Sequence, residues 1–440
     1  MFKKGDDALH FFIEVCNIVV SVVTVLYLYQ MLYIVIVFVY DILRKTGKVK
    51  EKSVEAVPHN LAVIICARNE EMVIDKLLET INNQSYPKDK LKAVVIADNC
   101  TDKTAEIARR YGAVVFERFN TKKVGKGYAL NFAFKNIYSM FGDSYFDGYI
   151  IIDADNLLDS NYVAEMNKTF CQGYRVITSY RNSKNYGTNW ITAGYAVAFM
   201  REAKFLNYAR SALGSSCAVS GTGFLVSNEI IRERGGWNYS LLTEDIEFTV
   251  DTIMRGETIG YCENAMLYDE QPTTFRQSWH QRVRWSRGFY QIVGKYGKTM
   301  LASVFRNKNK NRFSCFDITL TVMPTVLITV VMLVMQVVVL TFSVFQPSLT
   351  PSIAHEVADF LLRWVILYYG SLFFMGAVTV ITEWKKIKCP IYKRILYMFT
   401  YPLFMMTYIP ISIAAMFGKV EWKPIEHSVS KTLDEVTENI

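Results

Sequence analysis

Apolar runs long enough to cross a bilayer stand on both sides of a long polar stretch, and this arrangement limits what the chain can fold into. Residues 11–40 are apolar, with Glu14, Asn17 and Gln30 as the main interruptions. That exceeds the roughly 20 residues a spanning helix needs. The run is too long for a secretory signal core and has no small-residue cleavage site, so it is expected to be an anchor. Apolar runs return at 318–344, 357–381 and 395–417. Pro402 and Pro410 interrupt the last, which predicts a kinked or partly interfacial segment.

Charge sets the expected orientation. Arg44, Lys45, Lys48, Lys50 and Lys52 follow the first run, and Lys385, Lys386, Lys388, Lys393 and Arg394 separate the last two. The link 346–356 has no Lys or Arg. Positive charge marks the cytosolic side, so the polar region and the 383–394 loop are expected in the cytosol, in a multi-pass protein of the plasma membrane. Counting spans leaves the C-terminal tail outside. A content of 51% hydrophobic and 20% charged residues suits such a two-part protein and neither extreme. The net charge of +8 fits loops beside lipid, or phosphate binding, and no nucleic-acid partner is expected. Eight cysteines without a CxxC pair indicate neither a disulfide framework nor a zinc site. The expected organisation is an anchor and basic linker (1–55), a cytosolic domain (56–300), a membrane region (301–418) and a tail (419–440).

Within the polar region, 61–67, 92–97, 113–116 and 148–152 read as buried strands, and 72–82, 102–111 and 128–137 have helical spacing. Strands alternating with helices predict an α/β, doubly wound sheet, whose ligands bind at the carboxyl ends of the strands. Acids stand there: Asp98 after the second strand, Asp153 and Asp155 after the fourth. No GxGxxG follows the first strand, which disfavours a dinucleotide cofactor.

Each candidate motif has a plainer alternative. Asp153-Ala-Asp155 suits Mg²⁺ or Mn²⁺, which take carboxylate oxygens and keep water and phosphate ligands; alone, it is also an ordinary solvated loop. Lys126 between Gly125 and Gly127 at a helix start suits phosphate contact, or is a solvated lysine. Thr243-Glu244-Asp245 offers a general base, or simply acids at a helix N-terminus. Gln281-Arg-Val-Arg284-Trp285 combines a guanidinium for a diphosphate with an aromatic for a sugar face; an amphipathic helix at the membrane surface has the same composition.

In order, Asp98, Asp153-Ala-Asp155, Thr243-Glu-Asp245 and Gln281-Arg-Val-Arg-Trp285 resemble the D, DxD, (T)ED, QxxRW pattern of family 2 glycosyltransferases, in the processive branch of cellulose, hyaluronan, chitin and poly-N-acetylglucosamine synthases. Arg68-Asn-Glu70 resembles that family's first-strand nucleotide motif, and Ser220-Gly221-Thr222-Gly223-Phe224 its acceptor-lining segment. The resemblance covers roughly residues 56–300. It implies a GT-A (Rossmann-like) catalytic domain with helical membrane segments. It also implies site roles. Arg68, Glu70 and Asp98 would hold the nucleoside, and Lys126, Asp153 and Arg284 the diphosphate. Asp155, with Asp153, would ligate the metal, and Asp245 beside Glu244 would be the base. Gly221, Thr222, Gly223, Phe224, Gln281 and Trp285 would meet the acceptor. The implied reaction inverts the anomeric carbon of a UDP-sugar donor, UDP-glucose or UDP-N-acetylglucosamine, in one displacement.

The chain departs from that branch in having no FxVTxK segment, no C-terminal cyclic-dinucleotide domain and only three apolar runs after the domain. Thr-Glu-Asp also differs from the Gly-Asp-Asp of hyaluronan synthases. The expected product is a growing β-linked glycan exported along a path lined by Tyr369, Tyr397, Tyr401, Tyr408 and Trp364, which a dimer or a partner protein would help to enclose. The rivals are single-sugar transfer to a membrane lipid and a catalytically inactive membrane scaffold.

Overall fold

The structure, a computed structural model, describes residues 14, 18, 29–49, 54–306, 311–323, 325–344, 350–418 and 430–438. Much of the run 11–40 and the tail from 419 to 429 lie outside the described residues.

Eight strands form one sheet: β1 (Leu61–Ala67), β2 (Leu91–Asp98), β3 (Val114–Arg118), β4 (Gly148–Asp153), β5 (Leu157–Leu158), β6 (Val176–Ser183), β7 (Phe224–Ser227) and β8 (Ile259–Asp269), in the order β3-β2-β1-β4-β7-β6-β8-β5. β3, β2, β1 and β4 are mutually parallel, as their apolar runs predict. Alternation along β1 serves two cores. Ala62 and Ile64 pack with Leu130, Phe134 and Ile137 of the Lys126–Phe141 helix. Leu61, Val63 and Ile65 pack with Ile74, Leu77 and Ile81 of the Ile74–Asn82 helix on the other face. The sheet is thus covered on both sides, but it is mixed: β7 runs antiparallel to both β4 and β6.

The crevice at the strand ends gathers polar residues. Asp98 ends β2, Asp153 ends β4 and Asp269 ends β8. Asn69 and Asn99, just past β1 and β2, take left-handed conformations (φ 57° and 56°) that asparagine tolerates better than most residues. The Asn69 side chain then accepts from the Thr101 amide (2.8 Å), and that of Asn99 from Asn120 (2.8 Å), tying the turns into one rim.

Long helices follow the sheet. Among the described residues, Thr350–Thr382 and the stretch Ile391–Phe417 are long and apolar enough to cross a membrane. The run 318–344 is not one helix. Arg312–Val322 stops because Met323 precedes Pro324 and turns extended (ψ 122°). Its Ile318 and Val322 pack into the domain core, and Thr325–Ser343 begins beyond the break. The last run is also divided. Pro402 is accommodated inside the Ile391–Met406 helix, whereas the chain breaks at Thr407, ahead of Pro410, before Tyr408–Phe417. Beyond it, Val436 is buried against Leu157 and Tyr268 of the sheet. The described end of the tail, residues 430–438, is thus packed on the domain.

Candidate active site

One cavity of about 490 Å³ opens at the strand ends, and most of the expected site residues line it: Arg68, Glu70 and Asp98; Lys126, Asp153 and Asp155; Gly221, Glu244 and Asp245; Gln281, Arg284 and Trp285. Thr222, Gly223 and Phe224 do not reach its wall as expected. The Thr222 hydroxyl accepts from the Asp153 amide (2.9 Å) and donates to Asn156 Oδ1 (2.6 Å), so it braces the acidic loop. The Gly223 amide donates to Ile151 (2.9 Å), and Phe224 is core, stacked near Trp237 and Phe248. The sheet claims Gly223 and Phe224 and the acidic loop claims Thr222, leaving Gly221 at the cavity.

Lys126 opens the Lys126–Phe141 helix. Gly125 before it has φ 133°, and a Cβ on Gly127 would stand 2.0 Å from the Tyr239 carbonyl oxygen. Both glycines are therefore needed to put this lysine and the free amides of a helix N-terminus at the cavity wall, a ready site for anions. The Lys126 ammonium pairs with Asp153 and donates to the Gly221 carbonyl (2.8 Å). Burial opposes its charge, but Asp153 and Glu244 hold its pKa above the ordinary value.

Glu244 and Asp245 begin the Glu244–Met254 helix. Burial first, and then its acidic neighbour, push Glu244 up to about 7. Burial also raises Asp245, while the amides of Ile246 and Gly221 and the charge of Lys126 resist. Gly221 donates to Asp245 Oδ2 at 2.6 Å, which fixes that carboxylate in the cavity. Thr243 packs where a Cβ on Gly288 would stand (2.4 Å from Oγ1), so the motif rests directly on the Phe275–Arg306 helix.

On that helix, Gln281, Arg284 and Trp285 sit at i, i+3 and i+4, one face, and all three line the cavity. Gln281 Oε1 is buried with no hydrogen-bond partner among the described residues. Trp285 meets Tyr195 edge-on (centroids 5.7 Å apart). Arg282 faces the other way. It is fully buried, lies over Phe404 (4.3 Å) and donates to Thr407 Oγ1 (2.7 Å) and the Phe404 carbonyl (3.2 Å), at the break in the last apolar stretch.

Asp98 reaches the cavity but its carboxylate is held by Arg118 and Asn99. Among the described residues no three acidic, His or Cys side chains converge as a preformed metal cage. Asp153 and Asp155 face the same cavity, a donor set that fits a Mg²⁺ or Mn²⁺ completed by water and a diphosphate.

The motifs did not reveal Arg181, Glu202 and Asp269, which also line the cavity. Arg181 Nε donates to Asp269 Oδ2 (2.9 Å), and its guanidinium lies over Phe199 (3.8 Å). Glu202 opens a π-helical turn, Glu202–Asn207, and burial raises its carboxyl. In the sequence Glu202 stands in a cluster of charges, Arg201, Glu202 and Lys204, that follows the apolar stretch 190–200 and carries no motif. Of the expected path residues, only Tyr408 lines the cavity. Tyr397 and Tyr401 are buried against Tyr186 and Val197, and the Tyr369 hydroxyl donates to the Phe399 carbonyl (2.9 Å).

A doubly covered α/β sheet with paired carboxylates, an anion-receptive helix start and a basic-aromatic helix face at its strand ends has the architecture of the GT-A glycosyltransferases. Residues 58–288 match the family model described as "Glycosyltransferase like family 2", more than half of the chain, and the chain belongs to that family. It is 29% identical over 273 residues to "Probable glycosyltransferase YdaM" of Bacillus subtilis (57% of this chain, 59% of that one). It is 27% identical over 274 residues to a "Beta-monoglucosyldiacylglycerol synthase" of Nostoc sp. (60% and 56%), and 22% identical over 237 residues to a "Poly-beta-1,6-N-acetyl-D-glucosamine synthase" of Staphylococcus aureus (53% and 55%). The chain thus spans a little over half the length of these curated relatives. The mannosyltransferase PcManGT of Pyrobaculum calidifontis, solved with GDP-Man and Mn²⁺, shares the fold over 90% of this chain and 99% of its own, with a TM-score of 0.54 and 15% identity.

Proposed function

We propose that the protein is an inverting transferase moving a sugar from a nucleoside diphosphate sugar, UDP-glucose by preference, to a hydroxyl of a membrane-borne acceptor. The observation that carries the reading is the reach of the cavity. It runs from Asp153 and Lys126, past Asp245 and Trp285, to Ile318, Val322 and Tyr408 on helices beside the apolar segments. One end suits a charged donor and the other an apolar acceptor.

Arg68, Glu70 and Asp98 hold the nucleoside, and Lys126 and Arg284 neutralise the diphosphate. Asp153 and Asp155 would hold a divalent cation, which supplies further charge neutralisation to the leaving group. Gln281 Oε1 accepts a hydrogen bond from the acceptor, and Trp285 packs on a sugar or headgroup face. The acceptor's O–H proton passes to Asp245, its oxygen bonds to the anomeric carbon, and the bond to the diphosphate breaks with its electron pair leaving on the nucleotide. No enzyme nucleophile is required.

A lipid hydroxyl suits this cavity better than a growing chain, because Tyr397 and Tyr401 are spent in helix packing and do not line a path. The monoglucosyldiacylglycerol synthases among the relatives are consistent with that acceptor. The domain and the Lys385–Arg394 loop would face the cytosol, at the plasma membrane. The deciding experiment incubates the purified protein with UDP-sugars, Mg²⁺ or Mn²⁺ and diacylglycerol or polar lipid, and sizes the product. A single-sugar glycolipid supports the reading. A polymer ladder would mean a processive synthase, and no UDP release with any donor would mean an inactive scaffold.

A further inference from the structure

We propose that the C-terminal tail and the turn after the Thr350–Thr382 helix close a receptor for a phosphate group, separate from the donor cavity. Lys184, Lys386, Lys388 and Lys431 line a small pocket of about 40 Å³, with Glu435 as the only acid on its wall among the described residues. Lys184 is 5% exposed, yet among the described residues no carboxylate forms an ion pair with its ammonium. Burial pulls that ammonium below its ordinary value, and Asp155, Glu270 and Asp269 restore it only in part. Tyr186, on the same wall, is 3% exposed, and its hydroxyl is buried with no hydrogen-bond partner among the described residues. Buried lysines and hydroxyls are ordinarily paired. Lys386 is already engaged, paired with Glu383 (2.8 Å) and over Tyr180 (3.7 Å). What Lys184 and Tyr186 lack is an acceptor-rich anion, and a pocket this small takes a compact oxyanion rather than a ring.

The location suits a phosphate from either of two sources. The turn follows directly on a helix long enough to cross a membrane, so a lipid headgroup can reach it, and so can a soluble phosphate. The floor of the pocket is the shared end of β6 and β8, where Ser183 faces Asp269, and Asp269 accepts from Asn156 beside Asp155 (2.8 Å). Leu433 and Val436 of the tail pack on Leu157 and Tyr268 next to it. A bound phosphate would fasten the tail to the edge of the sheet that carries the acidic loop.

The test is thermal unfolding of the whole protein, without donor or metal, so its outcome does not depend on the catalytic reading. One arm adds inorganic phosphate in detergent against chloride of equal ionic strength. The other compares nanodiscs of phosphatidylglycerol with nanodiscs of phosphatidylcholine. A saturable rise of the midpoint in the first arm identifies soluble phosphate, and a rise in the second alone identifies the lipid. Lys184→Met should raise the midpoint of the unliganded protein, because it removes an unpaired buried charge, and should abolish the ligand-induced rise. Lys431→Ala, on the tail, should weaken the rise without altering the unliganded midpoint. The proposal is overturned if neither arm shifts the wild type, if Lys184→Met responds as the wild type does, or if that substitution lowers the unliganded midpoint, which would show that Lys184 already has a partner.

Discussion

Glu244→Gln isolates the cost of burying an acid, beside a second acid, at the head of a helix. The folded protein holds the Glu244 carboxyl at about 7, against an ordinary 4.5. The folded state therefore binds an extra proton between those values, and the sign follows. The contribution to stability is full below about pH 4.5 and is lost as pH rises through 7. At about 1.36 kcal/mol per unit, the 2.5 units separating those values set a limit of about 3.4 kcal/mol. Between pH 5.5 and pH 8 the linkage integral is about 2 kcal/mol. Partial contact of the side chain with cavity water makes this an upper bound. Glutamine keeps the shape and removes the titration, and it relieves Asp245 of a like charge. Thermal unfolding in detergent, without nucleotide or metal, should show wild type and variant converging only below about pH 4.5. Between pH 5.5 and pH 8 the variant's advantage should grow by about 2–5 °C. Parallel pH profiles for the two proteins would refute a raised Glu244.

Asp245→Asn should lower turnover by about 10²–10⁴-fold while calorimetry shows UDP binding retained; near-normal turnover would remove Asp245 from the role of base. Asp155→Ala and excess chelator should each abolish UDP release, and full activity in chelator would exclude a divalent requirement. Gly127→Ala forces a methyl against the Tyr239 carbonyl and should destabilise the fold by about 1–3 kcal/mol and raise KM for the donor, whereas an unchanged KM and midpoint would mean that the close approach relaxes freely. An epitope appended to the C-terminus should be accessible on the same side of the membrane as one inserted in the 383–390 turn, and opposite sides would contradict the docking of Val436 on the sheet.

How much was legible depended on whether a signal was local. The strands β1, β2 and β4 were, because burial on both faces leaves nearly unbroken Ile, Val and Ala, whereas the edge strand β3 showed only its apolar start, Val114-Val-Phe116. β6 was not: Val176–Ser183 reads VITSYRNS, and its polar half is accounted for only by partners such as Met266 and Asp269. The same holds at the site. Spacing alone puts Gln281, Arg284 and Trp285 on one helix face, and glycines around Lys126 announce a close approach. Thr222 and Phe224 carry no local mark that separates cavity from core, and the acidic loop claimed the one and the sheet the other. Arg181 and Glu202 were unreadable as site residues because their place at the cavity depends on β6 and on a π-turn. The run 318–344 misled for a related reason: hydropathy averages over Pro324, whereas the backbone does not.

Buried charges then explain how the apolar helices are joined to the domain. Asp317, in the Arg312–Val322 helix, and Arg210 are both almost fully buried and pair at 2.6 Å. Tyr33, on the helical stretch 29–45, donates to the same carboxylate at 2.8 Å, and Thr321 accepts from Arg210 at 2.9 Å. Three segments far apart in sequence thus meet at one ion pair, whose separation would leave a charge unpaired at a cost of about 3–5 kcal/mol. Arg282 does the same for the last apolar stretch, donating to Phe404 and Thr407 where Pro410 has broken the helix. Arg210 also lines the cavity, and Arg282 stands one residue from Gln281. The stretch 29–45 and the stretch Ile391–Phe417 are thus each fastened to the domain at a residue that lines the cavity or stands beside one that does, so the packing of these helices and the geometry of the cavity wall are held by the same contacts.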